Sequence, residues 1–232
     1  GVPLARHVVL VVDESVRADF LRAEVVPFLS AQGRRLADYG YAVSGNNCSV
    51  FSNLILRFGG IRERLPESIR TQPSIWSFAH AAGYTTVYID GQKPGGQLQN
   101  GMTVLEKAEI DVFLQPDHIA RQQRDRYIAT QLREMLAAED RQFIYINKKG
   151  THFPYVRNYP PEAALEQPDM APGESIGESR ERMLNSYRNS VRWNVDSFFR
   201  ELLESDLADT LLVYTSDHGQ NLMDRGVMTQ CN

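Results

Sequence analysis

Cysteine is scarce: the chain has two in 232 residues, Cys48 and Cys231. Two thiols cannot build a disulfide framework, and nothing in their spacing pairs them. No apolar run approaches the roughly 18 residues that a membrane-crossing helix needs. The first residues do not read as a signal peptide. Positive charge is not in excess: 25 Lys and Arg against 29 Asp and Glu leave a net charge of −4. That removes the basic footprint of a nucleic-acid binder. Internal repeats and low-complexity tracts are absent as well. The chain opens at Gly1-Val2-Pro3-Leu4 almost directly on a strand. It stops at Cys231-Asn232 with no closing strand or helix. These ends read as those of a single domain, residues 1–232, cut from a longer protein, with any membrane segment outside it.

What remains is an ordinary globular composition, 42% hydrophobic and 23% charged, in a chain long enough for one α/β core. Short apolar runs at Val8–Val12, Tyr84–Ile89, Phe143–Ile146 and Leu211–Tyr214 predict strands buried on both faces of a parallel sheet. Tyr39–Val43 predicts a weaker one. Helical signals lie between them. Pro27 suits a first helical position. Pro73 precedes a helix carrying Ile75, Trp76, Phe78 and Ala79, with Gly83 as its stop. Tyr127, Ile128, Leu132, Met135 and Leu136 share one helical face. The cleanest helix runs through Leu184, Tyr187, Val191, Val195, Phe198, Phe199 and Leu202. Strands alternating with helices imply right-handed crossovers and a mostly parallel sheet. The Pro-rich stretch Tyr159–Glu178 reads as a long loop over its functional end.

In such sheets chemistry gathers beyond the carboxyl ends of the strands. Asp13, Glu14, Asp90, His152, Asp217 and His218 all fall there. Glu14, one step past the first strand, can ligate a metal or cap the next helix. Asp217 and His218 can share one ion only if their strand has ended, and Gly219 permits that turn. Ser49 follows the turn Gly45-Asn46-Asn47-Cys48 and precedes a helical run. A hydroxyl there sits in positive helix-end potential, and metal coordination would lower its pKa further. The plain alternative is an N-cap serine. Cys48 is a rival nucleophile. His152 can give a proton to a leaving oxygen or hold a phosphoryl oxygen. Lys148 and Lys149 offer charge to an anionic substrate, or simply form an exposed strand end.

The ordered set resembles the alkaline phosphatase superfamily. More narrowly, it resembles the sulfatase-like branch that holds phosphoethanolamine transferases and lipoteichoic-acid synthases. The transferases end a strand in Glu-Thr-Ala-Arg-Ala-Asp, where this chain has Glu14-Ser15-Val16-Arg17-Ala18-Asp19. Their nucleophilic Thr is followed three residues later by Ser, as Ser49 is by Ser52. Their Ser-His-Gly-Pro before Tyr-Pro is similar to Thr151-His152-Phe153-Pro154 before Tyr159-Pro160. Asn185-Ser186-Tyr187 opening a long helix also fits, and Ser216-Asp217-His218-Gly219 closes the set.

The resemblance implies a three-layer α/β/α sandwich around a mostly parallel sheet, alkaline-phosphatase-like. It implies one divalent ion, zinc, with manganese, magnesium or calcium as alternatives. Glu14, Ser49, Asp217 and His218 would hold it, with Asp13 as an extra ligand. Ser49 would attack a phospholipid donor, His152 would serve the substrate side, and an envelope lipid or glycan would accept the phospho-substituent. The implied location is the inner membrane, through segments outside this chain, with the catalytic domain in the periplasm.

Departures bear on the details. Ser49 replaces threonine, and bracing cysteine pairs are missing. Gln230 stands where a further histidine is expected. Phe51 and Asn53 replace the Pro and Arg of a sulfatase signature, which argues against formylglycine at Cys48 or Ser49. The readings left open are a metal-dependent phosphotransferase, a phosphatase, phosphodiesterase or sulfatase of the same fold, and a non-catalytic binding module.

Overall fold

The computed structural model describes residues 5–175, 177–207 and 209–226. Five strands form one parallel sheet: β1 (His7–Asp13), β2 (Thr85–Asp90), β3 (Val112–Leu114), β4 (Gln142–Asn147) and β5 (Thr210–Ser216). Their spatial order is β3-β2-β4-β1-β5. Four of the five follow the apolar runs of the sequence. β3 was not predicted, because a three-residue strand is too short to show a period.

Strand periodicity divides the core into two layers. Val9, Val11, Val87, Ile89, Ile144 and Ile146 face one side, where they meet Ile128, Leu132, Tyr187, Val195 and Phe198. Val12, Tyr88, Phe143 and Tyr145 face the other and meet Trp76 and Ala79. Both faces of β1, β2 and β4 are therefore covered, which is why these strands read as unbroken apolar runs rather than alternating ones; the edge strand β5 departs from that expectation, with Leu211 and Val213 about half exposed on one face. The result is the helix–sheet–helix sandwich that the sequence implied.

The helices follow the sequence signals closely. Pro27–Ser30 is a single turn begun by its proline. Ile75–Ala81 is capped by the Ser74 hydroxyl, and Gly83 beyond it takes φ +78°. Arg124–Leu136 buries Ile128, Ala129 and Leu132. The predicted long helix runs as Arg180–Val191, a π-helical turn at Arg192–Asp196, and Ser197–Leu202. The wide turn frees the Asn194 carbonyl to accept from Lys148 Nζ at 2.7 Å. Such bulges commonly mark functional segments.

One expectation fails. Tyr39–Val43 forms no strand: Tyr39 and Val43 are almost fully exposed, and Gly40 at φ +77° breaks the extended run. Extended propensity is realised only where a backbone edge offers pairing. The loop after Tyr159 lies against the helix Arg180–Val191. Glu166 N–H donates to Asn189 Oδ1, Met170 N–H to Ser186 Oγ, and Asn185 Nδ2 to the Pro168 carbonyl.

Candidate active site

Register brings the site together. In the β1–β5 pair Asp13 lies opposite Ser216, so Glu14 and Asp217 leave the sheet side by side, and Asp217 N–H still donates to the Asp13 carbonyl at 2.9 Å. On the other flank Val12 lies opposite Asn147, so Lys148 and Lys149 leave β4 at the same end.

Glu14, Asp217 and His218 are all buried, and each offers a ligand atom within 4.8 Å of the other two. The helix Ser49–Phe58 points its first residue at them. Ser49 Oγ lies 3.1 Å from Glu14 Oε2 and 3.1 Å from His218 Nε2. His218 Nε2 lies 3.5 Å from Glu14 Oε1 and 3.7 Å from Asp217 Oδ2. Tetrahedral zinc with bonds of about 2.1 Å would place its donors roughly 3.4 Å apart. The observed separations bracket that spacing.

The donor chemistry fits a cation for a second reason. Asp217 Oδ1 accepts from Ser15 N–H and His218 N–H, whereas the buried Oδ2 has no hydrogen-bond partner. A buried orphan oxygen is costly unless an ion takes it. Burial and the adjacent Glu14 carboxylate push the Asp217 carboxyl well above the usual range. Burial opposes ionisation of Glu14 too, but attraction to His218 and the Ser15 and Ser49 hydroxyls hold it below its ordinary value. Two buried carboxyls this close oppose each other's ionisation, and a divalent ion would relieve that opposition. His218 Nδ1 donates to the Gly219 carbonyl at 2.6 Å. That turns Nε2 toward Ser49 and Glu14, the orientation a metal-ligating histidine uses.

Ser49 is not an N-cap. Cys48 is the cap residue, and Asn46 Oδ1 turns the chain into the helix by accepting from Cys48 N–H. The Ser49 side chain is thereby free to face Glu14. Tyr145 Oη donates to Asn53 Oδ1, and Asn53 Nδ2 donates to the Ser49 carbonyl, which locks this helix end to β4. Cys48 is disulfide-bonded and so holds no thiolate that could compete. Cys231, the chain's other cysteine, and Gln230 lie outside the described residues.

Asp13 stands apart from the cluster. Its Oδ2 accepts from Lys148 Nζ at 2.5 Å and from Tyr214 Oη at 3.0 Å, on the opposite face of the sheet from Glu14. The alternation of β1 sends successive side chains to opposite sides. Lys148 is fully buried in that pair and packs over the Phe198 ring, so it is not an exposed strand end. His152 lies outside the metal group on the open side, its Nδ1 donating to the Phe153 carbonyl. Asp90 organises loops instead, accepting from Gln92 N–H and from the Gln99, Gln115 and Asn147 amides.

Sequence reasoning missed the residues that hold the ligands. Gln92 Nε2 donates to Glu14 Oε2 at 3.1 Å and to the Lys148 carbonyl. Ser15, at φ +60°, donates its hydroxyl to Glu14 Oε1 at 2.6 Å, while its carbonyl accepts from Tyr187 and Thr151. The only advance signal was position: Gln92 lies just past β2 and Ser15 just past β1.

Comparison with known proteins places this geometry. The sequence model of the family described as Sulfatase matches residues 6–232. The Kdo(2)-lipid A phosphoethanolamine 7''-transferase of Salmonella typhimurium is 25% identical across 94% of this chain and 40% of its own length. The Escherichia coli protein of the same name is 24% identical, again over 94% of this chain and 40% of its own length. This chain therefore spans about two fifths of those relatives. Among solved structures, the zinc complex of the C-terminal periplasmic domain of EptC from Escherichia coli superposes with a TM-score of 0.80 at 21% identity, covering 98% of this chain and 68% of that one. The soluble domain of lipooligosaccharide phosphoethanolamine transferase A from Neisseria meningitidis gives 0.77 at 19%, covering 100% and 72%. At these identities the superpositions establish the alkaline-phosphatase-like fold.

Proposed function

Because this chain belongs to the sulfatase family, we propose that it is the catalytic domain of a metal-dependent phosphoethanolamine transferase. The observation that carries the reading is the convergence of Ser49 Oγ on Glu14 and His218, with the orphan Asp217 Oδ2 beside them. Glu14, Ser49, Asp217 and His218 would hold the ion, best matched by zinc from their N and O donors and spacing. A bound divalent ion supplies Lewis-acid activation of the Ser49 hydroxyl and neutralises developing charge.

The chain's residues account for the rest. Ser49 Oγ forms a bond to the phosphorus of a phosphatidylethanolamine-type donor as the bond to the lipid oxygen breaks. His152 gives its proton to that leaving oxygen and takes up the proton that Ser49 loses. An acceptor hydroxyl on an envelope lipid or glycan then attacks the same phosphorus and releases Ser49 with its proton restored. The names of the curated relatives support phosphoethanolamine as the group moved and a lipid A-type glycolipid as acceptor.

Disulfide-bonded Cys48 favours an oxidising compartment, in line with a periplasmic domain tethered through other parts of a longer protein. Among the described residues no helix is long and apolar enough to cross a membrane. A sulfatase proper is disfavoured because Phe51 and Asn53 replace the residues its nucleophile signature needs.

The test is intact-mass spectrometry of the zinc-loaded protein after incubation with phosphatidylethanolamine vesicles. The expected result is one phosphoethanolamine adduct on the wild type and none on Ser49→Ala. No adduct on the wild type, or an adduct that persists in Ser49→Ala, overturns the proposal. Steady release of free phosphoethanolamine into water without acceptor would favour the hydrolase.

A further inference from the structure

Lys149 is the most anomalous side chain near the site. It is 9% exposed, yet its ammonium forms no hydrogen bond or ion pair among the described residues. Buried lysines are normally paired. The charges around it make matters worse. Arg121 and Arg124 repel it, while Glu14 and Asp125 attract it.

Neither acid is free to serve as its partner. The Asp125 oxygens accept from Lys149 N–H at 2.8 Å and Gly150 N–H at 2.9 Å. Glu14 accepts from Ser15, Ser49 and Gln92 and faces the cation cluster described above. The two arginines carry uncompensated charge as well. Arg121 donates through Nε and Nη2 to the neutral Asn158 amide oxygen. Arg124 donates to the carbonyls of Ile119 and Gly91. Neither makes an ion pair among the described residues. Exposed Arg157 adds to the same field, lowering the Arg121 guanidinium further.

Three cations without carboxylate partners therefore stand beside the carboxyl ends of β1 and β4. Like charges so placed repel one another, and repulsion from Arg121 and Arg124 opposes the Lys149 ammonium. The arrangement is stabilised only when an anion arrives. Metal occupancy sharpens the requirement, because a divalent ion on Glu14 removes the main attraction that Lys149 has.

We infer that Lys149, backed by Arg121 and Arg124, is an anion-binding residue that takes a phosphoryl oxygen of the substrate beside the Ser49 centre. The inference rests on the phosphotransferase reading and adds a recognition element to it. The phosphoryl group is either the one being transferred or a phosphate on the acceptor.

The experiment is calorimetric titration of inorganic phosphate into zinc-loaded wild type, Lys149→Met and Lys149→Arg, with zinc affinity and thermal midpoint measured for each. Lys149→Met should weaken phosphate about tenfold or more, the loss expected for one charge-assisted hydrogen bond. Zinc affinity should hold, and the ligand-free midpoint should stay level or rise because a partly desolvated ammonium repelled by Arg121 has been removed. Lys149→Arg should restore part of the binding. A purely structural lysine would do the reverse: the midpoint would fall and phosphate affinity would hold within twofold, and that overturns the inference while leaving the transferase reading intact. Failure of the wild type to bind zinc overturns both. Adduct formation on Ser49 then separates the sources: a raised donor KM identifies the transferred group, and a defect confined to acceptor transfer identifies the acceptor phosphate.

Discussion

Asp13 and Glu14 are consecutive, yet their carboxylates work on opposite faces of the sheet. Asp13 Oδ2 accepts from Lys148 Nζ at 2.5 Å, and Glu14 Oε2 accepts from Ser49 Oγ at 3.1 Å. The two-residue period of β1 separates them. Substitution should therefore separate them too. Asp13→Asn leaves buried Lys148 with only the Asp125 carboxylate, 3.8 Å away, and should cost about 3 kcal/mol in denaturant unfolding. Its folded fraction should bind zinc nearly as the wild type does. Glu14→Gln should lose zinc affinity by more than the roughly 10–100-fold that an outer-shell change costs, with a smaller effect on stability. Zinc titrations on both variants check this, and equal losses of zinc in the two would place Asp13 in the coordination set after all.

Gln92 holds Glu14 without touching the cluster's other members. Its amide donates to Glu14 Oε2 at 3.1 Å and to the Lys148 carbonyl at 2.9 Å, joining the β1 and β4 ends. Gln92→Leu removes both bonds at similar volume. Zinc affinity or turnover should fall about 10–100-fold. Thermal unfolding in chelator should change little, which distinguishes orientation of a ligand from general damage.

Gly150 is required sterically. It sits at φ +54°, and a Cβ there would come within 2.7 Å of the Glu14 nitrogen and 2.8 Å of the Glu14 carbonyl oxygen. Gly150→Ala should destabilise the fold by about 2–4 kcal/mol through left-handed strain and overpacking. It should also displace Glu14, so residual folded protein should bind zinc weakly. A denaturant midpoint equal to that of the wild type would refute the close approach.

Lys149 supplies the pH signature. Burial, and repulsion from Arg121, hold its ammonium down to about 8. Below that value it is charged, and above it the charge is lost. Phosphate binding to the zinc-loaded protein should therefore weaken as pH rises through about 8, and Lys149→Arg should flatten the profile. Stability runs the other way. Between about 8 and the ordinary lysine value of 10.5, the unfolded chain binds more protons than the native one, so this group's contribution to stability rises with pH across that window. Urea unfolding of wild type against Lys149→Met at pH 7 and pH 9.5 measures the difference.

The apolar runs at Val8–Val12, Tyr84–Ile89, Phe143–Ile146 and Leu211–Tyr214 marked four of the strands from the sequence alone; for the first three the reason is that a strand covered on both faces must be apolar throughout, whereas the last leaves Leu211 and Val213 half exposed at the sheet edge. The ordered set of Glu14, Ser49, Thr151-His152 and Asp217-His218 likewise marked the family, since residues that chain topology brings to one end of a sheet keep their order along the sequence. Local patterning could not decide which of two adjacent acids faces the cation, or that Lys148 disappears into a buried pair while Lys149 is left unpaired. Nor could it turn Cys48 from nucleophile to disulfide, or seat Gln92 against Glu14. Those outcomes depend on register between strands far apart in sequence, where a slip of one residue would exchange every face. Only the folded sheet, with β1 held between β4 and β5, sets that register.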